Sequence, residues 1–356
     1  QIVVVDAEGQ QVPYQITSDE KVIFPVTVQA NGSAVYTIKA GIPQECPVKA
    51  CGRYYPERVD DVAWENDLTA FRAYGPALQE TGERAFGYDI WTKYNTTEPV
   101  VEARYEGELN PDMKAKIAEL GKTDPKAAQE LYRSVSYHVD HGNGLDCYKV
   151  GPTLGGGTTA LMAGDTIIYP YCYATQEILD NGPLRFTVKL VYNPLVVKGD
   201  STIIETRIIT LDAGSYCNKT VVSYTNLKET MPLAVGIVLH EPDGAIVADA
   251  ANGYMTYVDP TDNAGGDNGK IFVGAAFPTL VKEAKAVLFP EKEKKELRGG
   301  ADGHVLAISE YEPGADFTYY WGGAWSKADI KDSAAWNAYM ADFAQKVRNP
   351  LTVTVK

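Results

Sequence analysis

Two of the four histidines lie close together in one glycine-rich segment whose residue types suit acid–base chemistry. A histidine side chain exchanges protons near neutral pH, so His138 is a candidate general base. Tyr148 and Lys149 follow in the same segment and are candidate general acids. The His-x-x-His spacing also permits an alternative, in which His141 and Asp140 hold a divalent metal.

The other two histidines stand apart in the sequence. His240 follows the apolar run 234–239, so we expect it at the end of a strand, where the catalytic groups of sandwich proteins lie. It is therefore a second candidate base, with a hydrogen-bonded structural role as the alternative. His304 follows a charged glycine-rich loop and is predicted to belong to the surface. The acidic loop 259–270 lacks the spacing of an EF-hand and is predicted to be a solvated turn.

The first segment rich in polar and aromatic residues is 53–75. Aromatic faces can stack on the C–H surfaces of sugar rings, and arginine pairs bidentately with carboxylates. The alternative is a polar network that only ties loops together. The residues predicted to bind a sugar substrate here are Arg53, Trp64, Glu65, Asn66, Arg72 and Tyr74.

A second aromatic segment, 319–327, places two tryptophans and two tyrosines around a glycine pair. Such a cluster favours a platform for sugar stacking, and an aromatic core cluster is the alternative. From this segment, Tyr320, Trp321 and Trp325 are predicted to contact the substrate.

Strand patterns dominate the chain. Residues 184–192 alternate between apolar and polar side chains, which is typical of a half-buried antiparallel strand. Helical patterns are confined to insertions near 111–135 and 333–347, and the alternating residues 351–355 predict a final strand. The sequence therefore predicts an all-β fold, a large antiparallel β-sandwich with a few inserted helices, and one domain over residues 1–356.

The composition restricts the partners. A net charge of -14 argues against nucleic acid, whereas a local arginine cluster can still attract an acidic sugar. No stretch of about 20 apolar residues occurs, so no membrane span is predicted. Five cysteines without a CxxC motif predict free thiols, with a small disulfide loop between Cys46 and Cys51 as the alternative. The chain begins at Gln1, which favours a mature protein whose export segment was removed.

The motifs together resemble one protein family. They include Arg-Tyr-Tyr-Pro-Glu-Arg at 53–58, Ala-Trp-Glu-Asn-Asp at 63–67, Tyr-His-Val-Asp-His-Gly at 137–142 and Tyr-Trp-Gly at 320–322. This pattern resembles a family of secreted bacterial proteins catalogued as domain of unknown function 4861, found in polysaccharide-utilisation systems of Bacteroidetes. The resemblance implies a galactose-mutarotase-like sandwich in the periplasm, or lipid-anchored, in a Gram-negative bacterium.

The resemblance also implies an activity, because at least one family member is an oligosaccharide dehydratase that acts on unsaturated uronyl ends released by ulvan lyases. The prediction is an enzyme that removes water from the unsaturated uronyl end of an acidic oligosaccharide, without a cofactor. A polysaccharide lyase or sugar epimerase on the same fold, and a non-catalytic glycan-binding protein, are the alternatives. The predicted roles are His138 or His240 as base, Tyr148 or Lys149 as acid, Arg72 or Arg53 on the carboxylate, and Trp64 and Trp325 as stacking platforms.

Overall fold

The structure is a computed structural model that describes residues 1–96, 98–262 and 266–356. The strands of these residues are, in chain order, β1 (Ile2–Val5), β2 (Gln11–Val12), β3 (Gln15–Ile16), β4 (Val22–Ile23), β5 (Thr37–Ala40), β6 (Ala50–Tyr55), β7 (Asp61–Asn66), β8 (Ala70–Ala73), β9 (Asp89–Trp91), β10 (Gly156–Ala163), β11 (Thr166–Ile167), β12 (Tyr173–Asn181), β13 (Arg185–Tyr192), β14 (Leu195–Val197), β15 (Asp200–Asp212), β16 (Cys217–Thr225), β17 (Met231–Leu239), β18 (Ile246–Asp249), β19 (Tyr254–Asp259), β20 (Ile271–Ala276), β21 (Glu283–Leu288), β22 (Gly303–Tyr311) and β23 (Phe317–Trp325). The α-helices are α1 (Pro76–Glu80), α2 (Val101–Leu109), α3 (Pro111–Gly121), α4 (Pro125–Arg133), α5 (Glu291–Leu297) and α6 (Ser333–Arg348).

Two antiparallel sheets form the body of the protein. The larger has nine strands, in the order β12-β13-β15-β16-β23-β20-β19-β18, with β14 beside β15. The smaller follows the order β11-β10-β17-β22-β21 and packs against the larger one, so that apolar side chains of both sheets share one core. The four strands β6-β7-β8-β9 extend the same core. The predicted antiparallel sandwich is confirmed.

The predicted helices near 111–135 and 333–347 are also confirmed, because their start signals are local. The side chains of Asn110, Asp124 and Asp332 each accept the backbone N–H three residues further on, which caps α3, α4 and α6. Helix α2 was not predicted. Its first N–H groups, at Val100 and Val101, donate to the carboxylate of Glu65 on β7, so its cap comes from a distant strand.

Side chains alternate between the two faces of β23. Trp321 points into the shared core, where it is fully buried and its indole N–H donates to Thr220. Tyr320 points to the outer face, where its ring lies 5.2 Å from that of Phe343 on α6. The aromatic segment 319–327 therefore divides between two opposite faces of one sheet.

Two local predictions were wrong, those for residues 351–355 and for His304, and the structure also answers the disulfide question. Residues 351–355 form no strand, because no neighbouring strand pairs with them. His304 is not a surface residue: it lies in β22 and is buried. All five cysteines are free thiols, so Cys46 and Cys51 form no disulfide. Within the described residues, no helix has the length and apolar character needed to cross a bilayer.

The burial of His304 predicts a measurable dependence of stability on pH. Its Nε2 accepts the N–H of Leu154 at 3.0 Å, and burial, reinforced by the charge of Arg298, lowers the pKa of the imidazole to about 3. The unfolded chain takes up this proton near pH 6.5 and the folded protein does not. The stabilisation is therefore complete above about pH 6.5 and is lost as the pH falls, at about 1.4 kcal/mol per pH unit.

His304→Gln keeps an acceptor for the Leu154 N–H but cannot titrate. We expect the free energy of unfolding of the wild type to fall between pH 6 and pH 4 by about 2–3 kcal/mol more than that of the variant. Urea denaturation at both pH values measures this difference, and the other titrating groups cancel between the two proteins. If the free energy of unfolding changed equally with pH in both proteins, His304 would take up its proton in the folded protein as readily as in the unfolded chain.

Candidate functional site

Three strand ends meet at one end of the sandwich. Strand β17 ends one residue before His240, β19 ends at Asp259 and β23 ends at Trp325. Asp259 and Trp325 stand in one register row, each paired with Ile271 of β20 between them. This end of the sandwich is also where the glycine-rich histidine segment lies, because Asp262 donates its N–H to the carbonyl of Cys147.

His240 and Asp259 form a close pair at this end. The imidazole Nδ1 lies 2.6 Å from a carboxylate oxygen of Asp259, which is buried, while the His240 side chain is 15% exposed. A carboxylate accepts, so Nδ1 carries the hydrogen and Nε2 keeps its lone pair. The hydroxyl of Tyr257 accepts the backbone N–H of both His240 and Glu241, which fixes the chain beside the ring.

His138 lines a cavity of about 290 Å3 whose lining includes Asp262 of the same loop as Asp259, but neither His240 nor Asp259 itself. Its Nδ1 lies 3.1 Å from the main-chain oxygen of Asp146, an acceptor, so Nδ1 carries a hydrogen and Nε2 is left for another partner. The carboxylate of Asp146 lies 3.8 Å from the same nitrogen. The side chain is half exposed, which leaves it accessible to a ligand. The other lining residues are Gln129, Tyr132, Arg133, Ser136, Val139, Asp146, Asp262 and Asn268.

The two histidines contact neighbouring positions of one chain segment. His138 contacts Asp146, and the ring of His240 meets the ring of Tyr148 edge-on at 6.3 Å. The structure thus brings both predicted bases to the same end of the sandwich.

Behind the cavity lies a buried network centred on Arg72. One guanidinium nitrogen lies 2.5 Å from Asp89 and 2.8 Å from Asp146, and a second lies 3.6 Å from Asp61. Tyr74 donates its hydroxyl to Asp89 as well. Arg72 is almost fully buried, so it supports the loop that carries His138 and lies beneath the cavity surface.

Burial of the network shifts the pKa values of its carboxylates. Burial is the main cause that raises the pKa of Asp61 to about 6. Burial, together with the charge of Asp146, also raises the pKa of Asp89 to about 6. Arg72 opposes both shifts by attraction. The guanidinium therefore stabilises the charged form of both buried carboxylates.

Four of the predicted sugar contacts lie elsewhere, inside the protein. Trp64 is fully buried, and its indole N–H donates to Asn218 at 2.8 Å. The carboxylate of Glu65 caps α2, and the amide of Asn66 donates to two main-chain oxygens. Trp321 packs against Trp64 in the core. None of the four lines the cavity at His138.

The remaining predicted residues have other partners. Tyr148 is buried and donates its hydroxyl to the carbonyl of Gly155, and the amine of Lys149 donates to the carbonyl of Gly299. Arg53 pairs with Glu57 and Glu102 near the surface, away from this cavity. Trp325 does adjoin the site: its indole N–H donates at 2.7 Å to the carbonyl of Asn268, a cavity residue.

The residues predicted for a metal each have hydrogen-bond partners within the protein. His141 lies with Nε2 at 2.9 Å from the carbonyl of Ser136. The carboxylate of Asp140 accepts two backbone N–H groups and the hydroxyl of Tyr94. Across residues 1–96, 98–262 and 266–356, no three His, Cys, Asp or Glu side chains are grouped as a metal would need.

Sequence reasoning missed two contributors to the cavity. Helix α4 was predicted, but the face that presents Arg133 could not be assigned without a partner surface. The loop 259–270 was predicted to be a plain turn, yet it supplies Asp259, Asp262 and Asn268 to this end of the sandwich. Asn263 of that loop lies outside the described residues. A useful signal was available, because Asp259 is a carboxylate at the last position of a mostly apolar strand pattern.

The fold is an antiparallel β-sandwich, and two histidines oriented by hydrogen bonds lie at one end of it. The chain belongs to the family described as domain of unknown function (DUF4861), whose profile matches residues 1–353. It is 24% identical over 327 residues to the uncharacterized protein P7 of Formosa agariphila, covering 90% of this chain and 73% of that protein. The predicted family is thereby confirmed.

Among solved structures, the chain is similar to a GH36 α-galactosidase of Geobacillus stearothermophilus, with a TM-score of 0.33 and 10% identity. It is also similar to a TPR-domain protein of Parabacteroides distasonis, with a TM-score of 0.33 and 8% identity. These alignments cover 75% and 91% of this chain but only 41% and 54% of the two other chains. At such TM-scores neither likeness supports an argument about activity.

Proposed function

We propose that this chain is a secreted carbohydrate-active enzyme that removes one water molecule from the unsaturated uronyl end of an acidic oligosaccharide. The observation that carries the proposal is the pair of oriented imidazoles at one end of the sandwich. His240 is held by a carboxylate and His138 by a main-chain oxygen, so each presents Nε2 for proton transfer. The motif resemblance to oligosaccharide dehydratases supplies the substrate class.

The reaction needs a base and an acid but no redox partner. A base takes the proton from the ring carbon next to the one that bears the allylic hydroxyl. The C–H electron pair becomes the new C=C bond while the C–O bond breaks, and the departing oxygen takes a proton and leaves as water. The new double bond is conjugated with the existing one and with the carboxylate, which favours the product.

His240 is assigned as the base. When Nε2 takes the substrate proton, the ring becomes an imidazolium, and the buried carboxylate of Asp259 at 2.6 Å stabilises that charge. The same contact fixes the tautomer that leaves Nε2 ready to accept. The pair therefore has both the orientation and the charge that general-base catalysis requires.

His138 is assigned as the acid. Its side chain lines the cavity, and the carboxylate of Asp146 at 3.8 Å balances the positive charge of the proton-donating form. Tyr148 and Lys149 are less suitable for this role, because their polar atoms donate to main-chain oxygens outside the cavity. Arg72 holds Asp146 in place and so acts on His138 only indirectly.

Arg133 is assigned to the uronyl carboxylate. It is the arginine that lines the cavity, and a guanidinium pairs with a carboxylate through two parallel hydrogen bonds. Charge that develops along the conjugated system in the transition state is stabilised by the same cation. Arg133 is the last residue of α4 and lines the same cavity as His138.

The proposal is tested by mass spectrometry on matched oligosaccharides. Unsaturated glucuronan, ulvan and glycosaminoglycan fragments are incubated with the protein beside saturated fragments of the same length. We expect the unsaturated fragments to lose the mass of one water and the saturated ones to stay unchanged. Shortened saturated chains would indicate a lyase or hydrolase. Unchanged masses with an altered sugar configuration would indicate an epimerase, and binding without any reaction would indicate a glycan-binding protein.

A further inference from the structure

The outer face of the nine-stranded sheet carries a second row of groups suited to a sugar. Thr187 on β13, Thr210 on β15, Lys219 on β16 and Tyr320 on β23 are register partners in succession across four adjacent strands. Residues paired in register on neighbouring strands share one face of the sheet. The row is therefore a line of two hydroxyls, an ammonium group and an aromatic ring on the side opposite the core.

This row forms the floor of a groove of about 640 Å3. Phe343 of α6 stands beside Tyr320 at one end, with the two rings edge to face. Asp180 and Ser18 close the other end, where the Ser18 N–H donates to the Asp180 carboxylate at 2.6 Å. The groove shares no residue with the cavity at His138.

Three cations and three carboxylates line the groove, and among the described residues Lys219 on the floor and Asp180 at one end form no ion pair. Arg185 forms two hydrogen bonds with the carboxylate of Asp212, at 2.6 and 2.8 Å, and Lys21 pairs with Asp19. In the described part of the chain, no carboxylate lies within ion-pair distance of Lys219, which is exposed on the groove floor. In a protein with a net charge of -14, such a cation favours one anionic group at that point.

We propose that this groove is a second binding site, for an acidic oligosaccharide. Lys219 contacts a carboxylate or sulfate, the ring of Tyr320 stacks on the next sugar, and the two threonine hydroxyls bond to ring hydroxyls. Neighbouring strands lie about 4.8 Å apart, so the row of four spans roughly 14 Å, about the length of a trisaccharide. The ligand class is that of the proposed function, but the residues are different, so either proposal can fail alone.

The test is calorimetric binding of a saturated glucuronic acid tetrasaccharide, which the proposed reaction does not consume. Cellotetraose, which has the same backbone without carboxylates, is the neutral comparison. We expect Lys219→Ala and Tyr320→Ala each to weaken tetrasaccharide binding by about tenfold or more, because each removes a charge-assisted or stacking contact. Tyr320→Phe keeps the ring and should bind as the wild type does.

Lys189→Ala is the matched control, because Lys189 projects from the same face of β13 but does not line the groove. It should leave binding unchanged, and Lys219→Ala should leave the turnover of an unsaturated disaccharide unchanged. The proposal is overturned if the Lys219 and Tyr320 variants bind the tetrasaccharide as tightly as the wild type. It is equally overturned if cellotetraose binds as well as the acidic ligand.

Discussion

Asp259→Asn is expected to lower kcat by about 10²–10⁴-fold, with little change in KM. An asparagine amide nitrogen facing His240 would donate to Nδ1 and so move the ring hydrogen to Nε2. That is the atom assigned to take the substrate proton, so the base would be blocked while the cavity kept its shape. The measurement is steady-state kinetics on an unsaturated uronyl oligosaccharide.

Asp249→Asn provides the control for this change, because Asp249 lies on the neighbouring strand β18 and caps a turn at Asn252. It should keep wild-type kcat. A wild-type kcat for Asp259→Asn would remove His240 from the mechanism. If His138→Ala were then inactive, the base would have to be sought at His138.

Arg72→Met is expected to lower the free energy of unfolding by about 3–5 kcal/mol, because it removes the cation that contacts three buried carboxylates. Asp61 and Asp89 each already titrate near pH 6 with the arginine present. Without it they take up protons more readily, so the cost of the substitution should be smaller at pH 5 than at pH 7.5. Urea denaturation at the two pH values measures both effects.

Arg53→Met is the matched comparison, since Arg53 also contacts two carboxylates, but near the surface. Exposed ion pairs contribute about 0–1 kcal/mol, so its loss should be small. Equal costs for the two variants would contradict the buried network. Activity lost by Arg72→Met without any loss of stability would instead point to a direct contact with substrate.

The sequence was informative wherever the determining signal is local. Alternation in strands such as β13 predicted the antiparallel sandwich, and helical spacing near 111–135 and 333–347 predicted its inserted helices. These signals depend on periodicity and on neighbours within four residues. Helix α2 lacked such a signal, because Glu65 caps it from another element.

The faces of the elements could not be predicted in the same way. Trp64 and Trp321 have the composition of a sugar platform, yet both belong to the core, where aromatic side chains bury a large apolar area. Tyr320 is adjacent in sequence to Trp321 and lies on the opposite face of the sheet. Likewise, helical periodicity predicted α4 without indicating that Arg133 faces a cavity.

The mass spectrum of an unsaturated uronyl disaccharide, recorded before and after incubation with the wild type and with Asp259→Asn, tests the central claim most directly. A disaccharide has a single glycosidic bond, so cleavage would give monosaccharides. Loss of one water from an intact disaccharide therefore reports dehydration directly. The account predicts the loss of one water with the wild type and almost none with the variant over the same time. An unchanged disaccharide mass with the wild type, or an equal loss of water with both proteins, would contradict it.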